Sequence, residues 1–167
     1  MIKFYKPKDP YGFLSNFHVA VFNLGGQSWP SVEHCYQAAK MINEEDRQRI
    51  ACAETPALAK KLGNICPMRE DWDQPIGTPA LHDLFKDRQG IVVERVKDYF
   101  MFSALIAKFT QRQELRDALL LTGGEELVED SPIDFYWGIG RDGTGLNKLG
   151  RMLQLVRVRL PEHFKQP

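Results

Sequence analysis

The sequence predicts an α+β fold, mainly α-helical, in a single domain over residues 1–167 with a small β-hairpin or sheet near its N-terminus. Three observations predict it. The chain has 167 residues, 43% of them hydrophobic, which suits one globule with a sizeable core. Apolar residues recur at the helical period over several stretches bounded by caps and glycines. Strand-like alternation is confined to the N-terminal part, around the turn "NLGG". No internal repeat, low-complexity tract or linker divides the chain.

The elements follow in order. "IKFY" is extended in character, and "FHVAVF", "NLGG" and "QSW" form a hairpin. After Pro30, Val32, Cys35, Tyr36 and Ala39 fall at i, i+3, i+4 and i+7 with Ser31 as N-cap, so a first helix covers 32–43. A second helix covers "EEDRQRIACAE". A third opens with Thr55 as N-cap and Pro56 at the first helical position, and closes with Gly63 just past its end. "PMREDWDQPIGTP" carries three prolines and is irregular. The longest helical region runs from about Leu81 to Phe109, with a break allowed at Gly90, and its apolar second half "YFMFSALIAKF" marks it as the central helix. "RQELRDALLLTGG" is a helix with a glycine stop. "NKLGRMLQLVRVRL" is the last, capped by Asn147.

Lys plus Arg and Asp plus Glu both number 22, so no global positive field draws the protein onto nucleic acid. The three cysteines, Cys35, Cys52 and Cys66, show no CxxC or clustered histidine, which supports neither a disulfide framework nor zinc. No run approaches a membrane span or a signal peptide. Cytoplasmic residence, no membrane partner, no cofactor and no metal are the expectations.

Two stretches stand out chemically. On the first helix Glu33, Gln37 and Lys40, spaced i, i+4 and i+7, form a polar stripe beside the apolar one, with His34 between them. Such a stripe is either a solvated surface or, at the edge of a core, the wall of a pocket. The second is "DFYWGIGRDGTGLNKLG". Its G-x-G-x-x-G lacks the strand, βαβ unit and distant acid of a dinucleotide fold. A glycine-dense loop entering a helix at Asn147 and Lys148 is either an anion site or a tight turn. Trp72, next to Arg69 and other charged residues, either covers the core or offers a platform for a planar base.

"YGFLSNF", "WPSVEHCYQAAK", the "WD" of Trp72 and Asp73, "ALIAKF" and "DFYWGIGRDGTGLNKLGRMLQLVR" together resemble the NADAR superfamily and, within it, the YbiA-like N-glycosidases. The likeness runs in order along nearly the whole chain. It implies cleavage of a C1′–N bond in ribosylated, phosphorylated pyrimidine intermediates of riboflavin biosynthesis, releasing ribose 5-phosphate. The alternatives are removal of ADP-ribose from guanine in nucleosides or DNA, and a non-catalytic module that binds NAD or ADP-ribose. By resemblance Glu33 and Asp134 occupy the family's essential acidic positions, Trp72 its aromatic one, and Lys40 a lysine associated with catalysis. Asn16, His34, Gln37, Arg69, Trp137, Gly138, Gly140, Asn147 and Lys148 are the expected substrate-binding residues, with phosphate held by the glycine loop and Lys148. An insertion around residues 74–90 adjoins Trp72 and is expected to bear on the substrate, a small nucleotide-like molecule. Oligomeric state is left open.

Overall fold

The structure, a computed structural model, describes residues 1–77 and 85–163. Six helices are described: α1 (Val32–Ala39), α2 (Glu44–Ala51), α3 (Pro56–Ile65), α4 (Val96–Gln111), α5 (Gln113–Leu121) and α6 (Lys148–His163). The strands are short and pair in twos: β1 (Ile2–Phe4) with β6 (Leu127–Glu129), β2 (Phe22–Leu24) with β3 (Gln27–Trp29), and β4 (Lys86–Asp87) with β5 (Gly90–Ile91). The architecture is α+β and mainly helical, as expected. Among the described residues no helix is long and apolar enough to cross a membrane.

Local signals fix most helix starts. Ser31 Oγ accepts from His34 N at 3.3 Å and caps α1. Asn43 caps α2 and Thr55 caps α3, with Pro56 at N1. Gly25 and Gly26, at φ +63° and +79°, make the left-handed turn between β2 and β3 that L side chains resist. The buried apolar side chains form one connected cluster from Phe4 to Leu160. The central helix α4 packs against α1, α6 and β2.

Four expectations need correction. In the region expected to be helical from Leu81, with a break allowed at Gly90, residues 86–91 form the β4–β5 hairpin and the helix α4 starts only at Val96; residues 78–84 lie outside the described residues. Gly90 has φ +113°, and the buried Asp98 accepts from the main-chain N–H groups of Glu94 and Arg95, which fixes the helix start there. α1 stops at Ala39, with Lys40 as its C-cap. Gly63 lies inside α3, which runs on to Ile65. The glycine is there because α1 and α3 approach closely: a Cβ on Gly63 would overlap Gln37 Oε1 and sit 3.0 Å from its Cβ and Cδ. Finally, "LVE" is the strand β6, pairing in parallel with β1 in the register Ile2↔Leu127, Lys3↔Val128 and Phe4↔Glu129.

Candidate active site

A cavity of about 490 Å³ opens between α1, α3, the N-terminal segment and the segment following β6, a size suited to a small ligand. Its wall includes Asn16, Glu33, Gln37, Lys40, Asp134 and Trp137 from the residues expected on sequence grounds. Of the two stripes on α1, the apolar one enters the core, and the polar one is pocket wall: Glu33 is only 5% exposed. The solvated alternative is thereby excluded.

The α1 side chains form a chain of hydrogen bonds. Lys40 Nζ donates to Gln37 Oε1 at 2.9 Å, and Gln37 Nε2 donates to Glu33 Oε1 at 2.7 Å. The lysine thus selects the amide orientation that presents an NH₂ to the acid. The main-chain N–H of Glu33 donates to Asn16 O, so the N-terminal loop is latched to the start of α1. Asn16 Nδ2 donates to Met101 Sδ at 3.3 Å, and its Oδ1 has no protein partner among the described residues. Asp134 Oδ1 accepts from the N–H groups of Tyr136 and Trp137 at 2.9 and 2.7 Å. One oxygen is spent on shaping the loop, which leaves the other for the cavity.

The electrostatics follow from burial. Desolvation pushes the Glu33 carboxyl above its ordinary range, and the Asp134 charge adds to this. The Gln37 hydrogen bond and the Lys60 and Lys40 charges oppose it. Desolvation likewise lowers the Lys40 amine, helped by Lys60 and opposed by Glu33. A lowered amine has a larger neutral fraction and is more nucleophilic at neutral pH.

The structure places the other expected residues away from this cavity. His34 is buried on the far side of α1, its ring bonded to Ser31 Oγ at 2.8 Å and Ala53 O at 3.0 Å. Trp72 is 3% exposed. It packs against Tyr36 at 5.1 Å and stacks on Phe100 at 5.6 Å between ring centroids, so it supports the wall residue Tyr36 from behind and offers no open face to a base. Arg69 pairs with Asp71, its Nη2 donating at 2.8 Å, and lies over the Phe100 ring.

The glycine loop is also a structural device. The N–H groups of Lys148 and Leu149, which would be the anion-binding donors of α6, donate to the carbonyls of Tyr136 and Trp137. Gly138 is pressed against Glu129 O, and Gly140, at φ +68°, sits under the Phe135 ring. Asn147 does not cap its own helix with its side chain: Oδ1 accepts from Glu129 N and Nδ2 donates to Leu127 O, tying α6 to β6. Lys148 is 3% exposed and donates to Val92 O at 3.0 Å and Glu94 Oε2 at 3.1 Å. The loop is a tight turn, and the Lys148 ammonium and the N–H groups of Lys148 and Leu149, the donors expected to hold phosphate, are already taken by protein acceptors.

Residues outside the expected set complete the cavity: Glu129, Lys6, Lys60 and Tyr36 line it. Tyr36 meets Trp137 edge-on at 5.5 Å. Lys60 reaches the cavity because the contact at Gly63 holds α3 against α1, and nothing local in the sequence marks it. Glu129 gave no signal, because "ELVED" reads as solvated acid unless β6 is recognised.

A NADAR domain model matches residues 3–161. The chain belongs to the NADAR domain family. This member is 36% identical to N-glycosidase YbiA of Escherichia coli over 162 residues, covering 96% of this chain and 88% of that one. It is 37% identical over 164 residues to N-glycosidase Npun_R5314 of Nostoc punctiforme, covering 95% and 92% of the two chains. Over 162 residues it is 36% identical to riboflavin biosynthesis protein VVA0006 of Vibrio vulnificus, covering 97% of this chain and 39% of the longer relative. The NMR structure of E. coli YbiA superimposes with a TM-score of 0.79 at 34% identity, over 99% of this chain and 88% of that one. This NADAR domain therefore shares sequence and architecture with proteins named as N-glycosidases along almost its entire length.

Proposed function

We propose that the protein is an N-glycosidase that hydrolyses the C1′–N bond of a ribosylated, phosphorylated pyrimidine of the riboflavin pathway and releases ribose 5-phosphate. One observation carries the reading: the buried Glu33, held by Gln37 and Lys40, shares a small cavity with Asp134, in a chain whose relatives are named N-glycosidases. The substrate class comes from the relative named for riboflavin biosynthesis.

The chemistry asks for negative charge where the sugar becomes positive. As the C1′–N bond lengthens, the ribose acquires oxocarbenium character, and a carboxylate fixed in a poorly solvated cavity stabilises it far more than one in water. Glu33 fills that role and takes a proton from the attacking water. Asp134 binds the ribose hydroxyls through its free oxygen. Lys40 offers a second route, in which its amine attacks C1′ of the opened sugar to form an imine. Tyr36 and Trp137 supply the aromatic surface for the base, and Lys6 and Lys60 the positive charge for the phosphate. Cytoplasmic residence is part of the same proposal.

The test is a substrate panel with product identification. Ribosylaminopyrimidine 5′-phosphates should yield free ribose 5-phosphate. Release of ADP-ribose from ADP-ribosylated guanosine, with no turnover of the pyrimidines, would replace this reading with the ADP-ribosyl hydrolase. Binding without cleavage of either would make the protein a recognition module.

A further inference from the structure

Glu129, the last residue of β6, is 6% exposed and lines the cavity with Glu33 and Asp134. Among the described residues nothing hydrogen-bonds or ion-pairs its carboxyl group, and its oxygens are not among the sealed, unsatisfied atoms of the interior, so they open to the cavity. The main chain around it is held tightly. Its N–H donates to Asn147 Oδ1 at 2.9 Å, its carbonyl accepts from Ile139 N at 3.0 Å, and Phe4 is its partner on β1. Gly138 leaves no room for a Cβ against that carbonyl. Two segments and a helix start thus converge to fix an acid whose carboxyl group forms no hydrogen bond or ion pair among the described residues. Buried polar groups are normally partnered, so the missing partner points to a ligand.

The charges that face it are asymmetric. Asp134 lines the cavity beside it, with Glu33 and Lys40 on α1, Lys60 on α3 and Lys6 after β1, while Asp130, the next residue in the chain, acts on it from outside the cavity wall. Lys3 of β1 is paired with Asp130, and Lys148 of α6 is turned away to Glu94. Burial first, then the Asp134 and Asp130 charges, push the Glu129 carboxyl up to about 8, with Lys60 opposing. Glu33, by contrast, has an amide donor and two lysines working against its burial. Burial raises both acids, but Glu33 holds an amide donor and the Glu129 carboxyl has none, the kind of difference in surroundings that assigns a base and an acid within one cavity.

Resting on the N-glycosidase reading above, we propose that Glu129 is the general acid of this site and protonates the departing nitrogen of an amine or pyrimidine base. The C1′–N electron pair passes to nitrogen, which takes the Glu129 proton and leaves neutral. Water adds its oxygen to C1′ and gives a proton to Glu33. Exchange with solvent returns the proton from Glu33 to Glu129, and water is the only co-reactant.

The experiment compares Glu129→Gln with the unaltered protein on two probes. One is a ribosylaminopyrimidine 5′-phosphate, whose base needs a proton to leave. The other is 4-nitrophenyl β-D-ribofuranoside 5-phosphate, whose nitrophenolate leaves without one. The variant should lose about 10²–10⁴-fold in kcat on the first, the range of general acid catalysis, and about threefold or less on the second. In the unaltered protein, kcat/KM for the first probe should fall above about pH 8, and the variant should lack that limb. Equal losses on both probes, or full activity of the variant on the N-glycoside, would overturn the proposal. If the variant does not fold, the unaltered protein still decides: a basic limb seen with the N-glycoside and absent with the nitrophenyl probe supports the role, and the same limb on both contradicts it. An unaltered protein inert on both probes removes the N-glycosidase reading itself, and the proposal with it.

Discussion

Replacing Gly63 by alanine tests whether the Lys40–Gln37–Glu33 chain is set by the contact between α1 and α3. Gly63 lies outside the cavity, inside α3. By helix propensity alone the substitution should stabilise the protein by about 1 kcal/mol. Against this, the new Cβ overlaps Gln37 Oε1 and meets the Gln37 Cβ and Cδ at 3.0 Å. The amide end can rotate away, but the Cβ contact can be relieved only by separating the helices, and overpacking of this kind costs about 1–3 kcal/mol. The net expectation is a loss of about 1 kcal/mol, or roughly 2–4 °C in Tm for a chain of this size. The larger effect is on activity. Moving Gln37 removes the donor to Glu33 Oε1 and the acceptor for Lys40 Nζ. A hydrogen bond to a charged group contributes about 1.5–3 kcal/mol, so kcat/KM should fall roughly 10–150-fold. Thermal melts and initial rates of ribose 5-phosphate release measure both. A variant more stable by about 1 kcal/mol with unchanged kcat/KM would refute the reasoning.

Three further outcomes are expected. Borohydride added during turnover should trap a sugar adduct on Lys40 if the imine route operates, and peptide mass mapping that finds no adduct in an active enzyme leaves direct hydrolysis by water. Lys60→Ala and Lys6→Ala should each raise KM for a phosphorylated substrate about tenfold, the effect of losing roughly 1.4 kcal/mol of binding, while the dephosphorylated nucleoside should be affected much less; equal effects on both would remove the phosphate assignment. Glu129→Gln should change the pH dependence of stability. The folded protein keeps the Glu129 proton up to about pH 8, whereas the unfolded chain releases it near 4.5. Stability therefore falls as pH rises through that window, by at most about 5 kcal/mol in total. Urea titrations between pH 5 and 8 should show a flatter profile for the variant, and an unchanged profile would place the proton elsewhere.

Much of the fold could be read locally. Ser31, Thr55 and Pro56 mark helix starts because caps act within one turn, and "NLGG" marks a hairpin because its glycines take positive φ. The polar stripe of Glu33, Gln37 and Lys40 was visible because helical spacing alone puts them on one face. What escaped depends on distant partners. The β1–β6 pairing joins residues more than 120 positions apart in the chain, and without it Glu129 looks like surface acid. Gly90 marked a possible break, but nothing local revealed that the residues around it form a hairpin or that Asp98 would cap α4 at Val96. Gly63 suits a helix end as well as a close helix contact, and only the position of Gln37 distinguishes them. The glycine loop resembles an anion cradle until its carbonyls are seen to occupy the N–H groups of Lys148 and Leu149. Trp72 among charged neighbours gave no sign that Tyr36 and Phe100 enclose it.

The most direct measurement of the whole account is the comparison of substrate binding and turnover in Glu33→Gln. The amide preserves shape and removes the negative charge beside the sugar. The account predicts a folded protein that binds a ribosylaminopyrimidine 5′-phosphate with a Kd within a few-fold of the unaltered protein and releases ribose 5-phosphate at least about 10³-fold more slowly. A folded variant that turns over at the original rate would show that the chemistry happens somewhere other than at this acid.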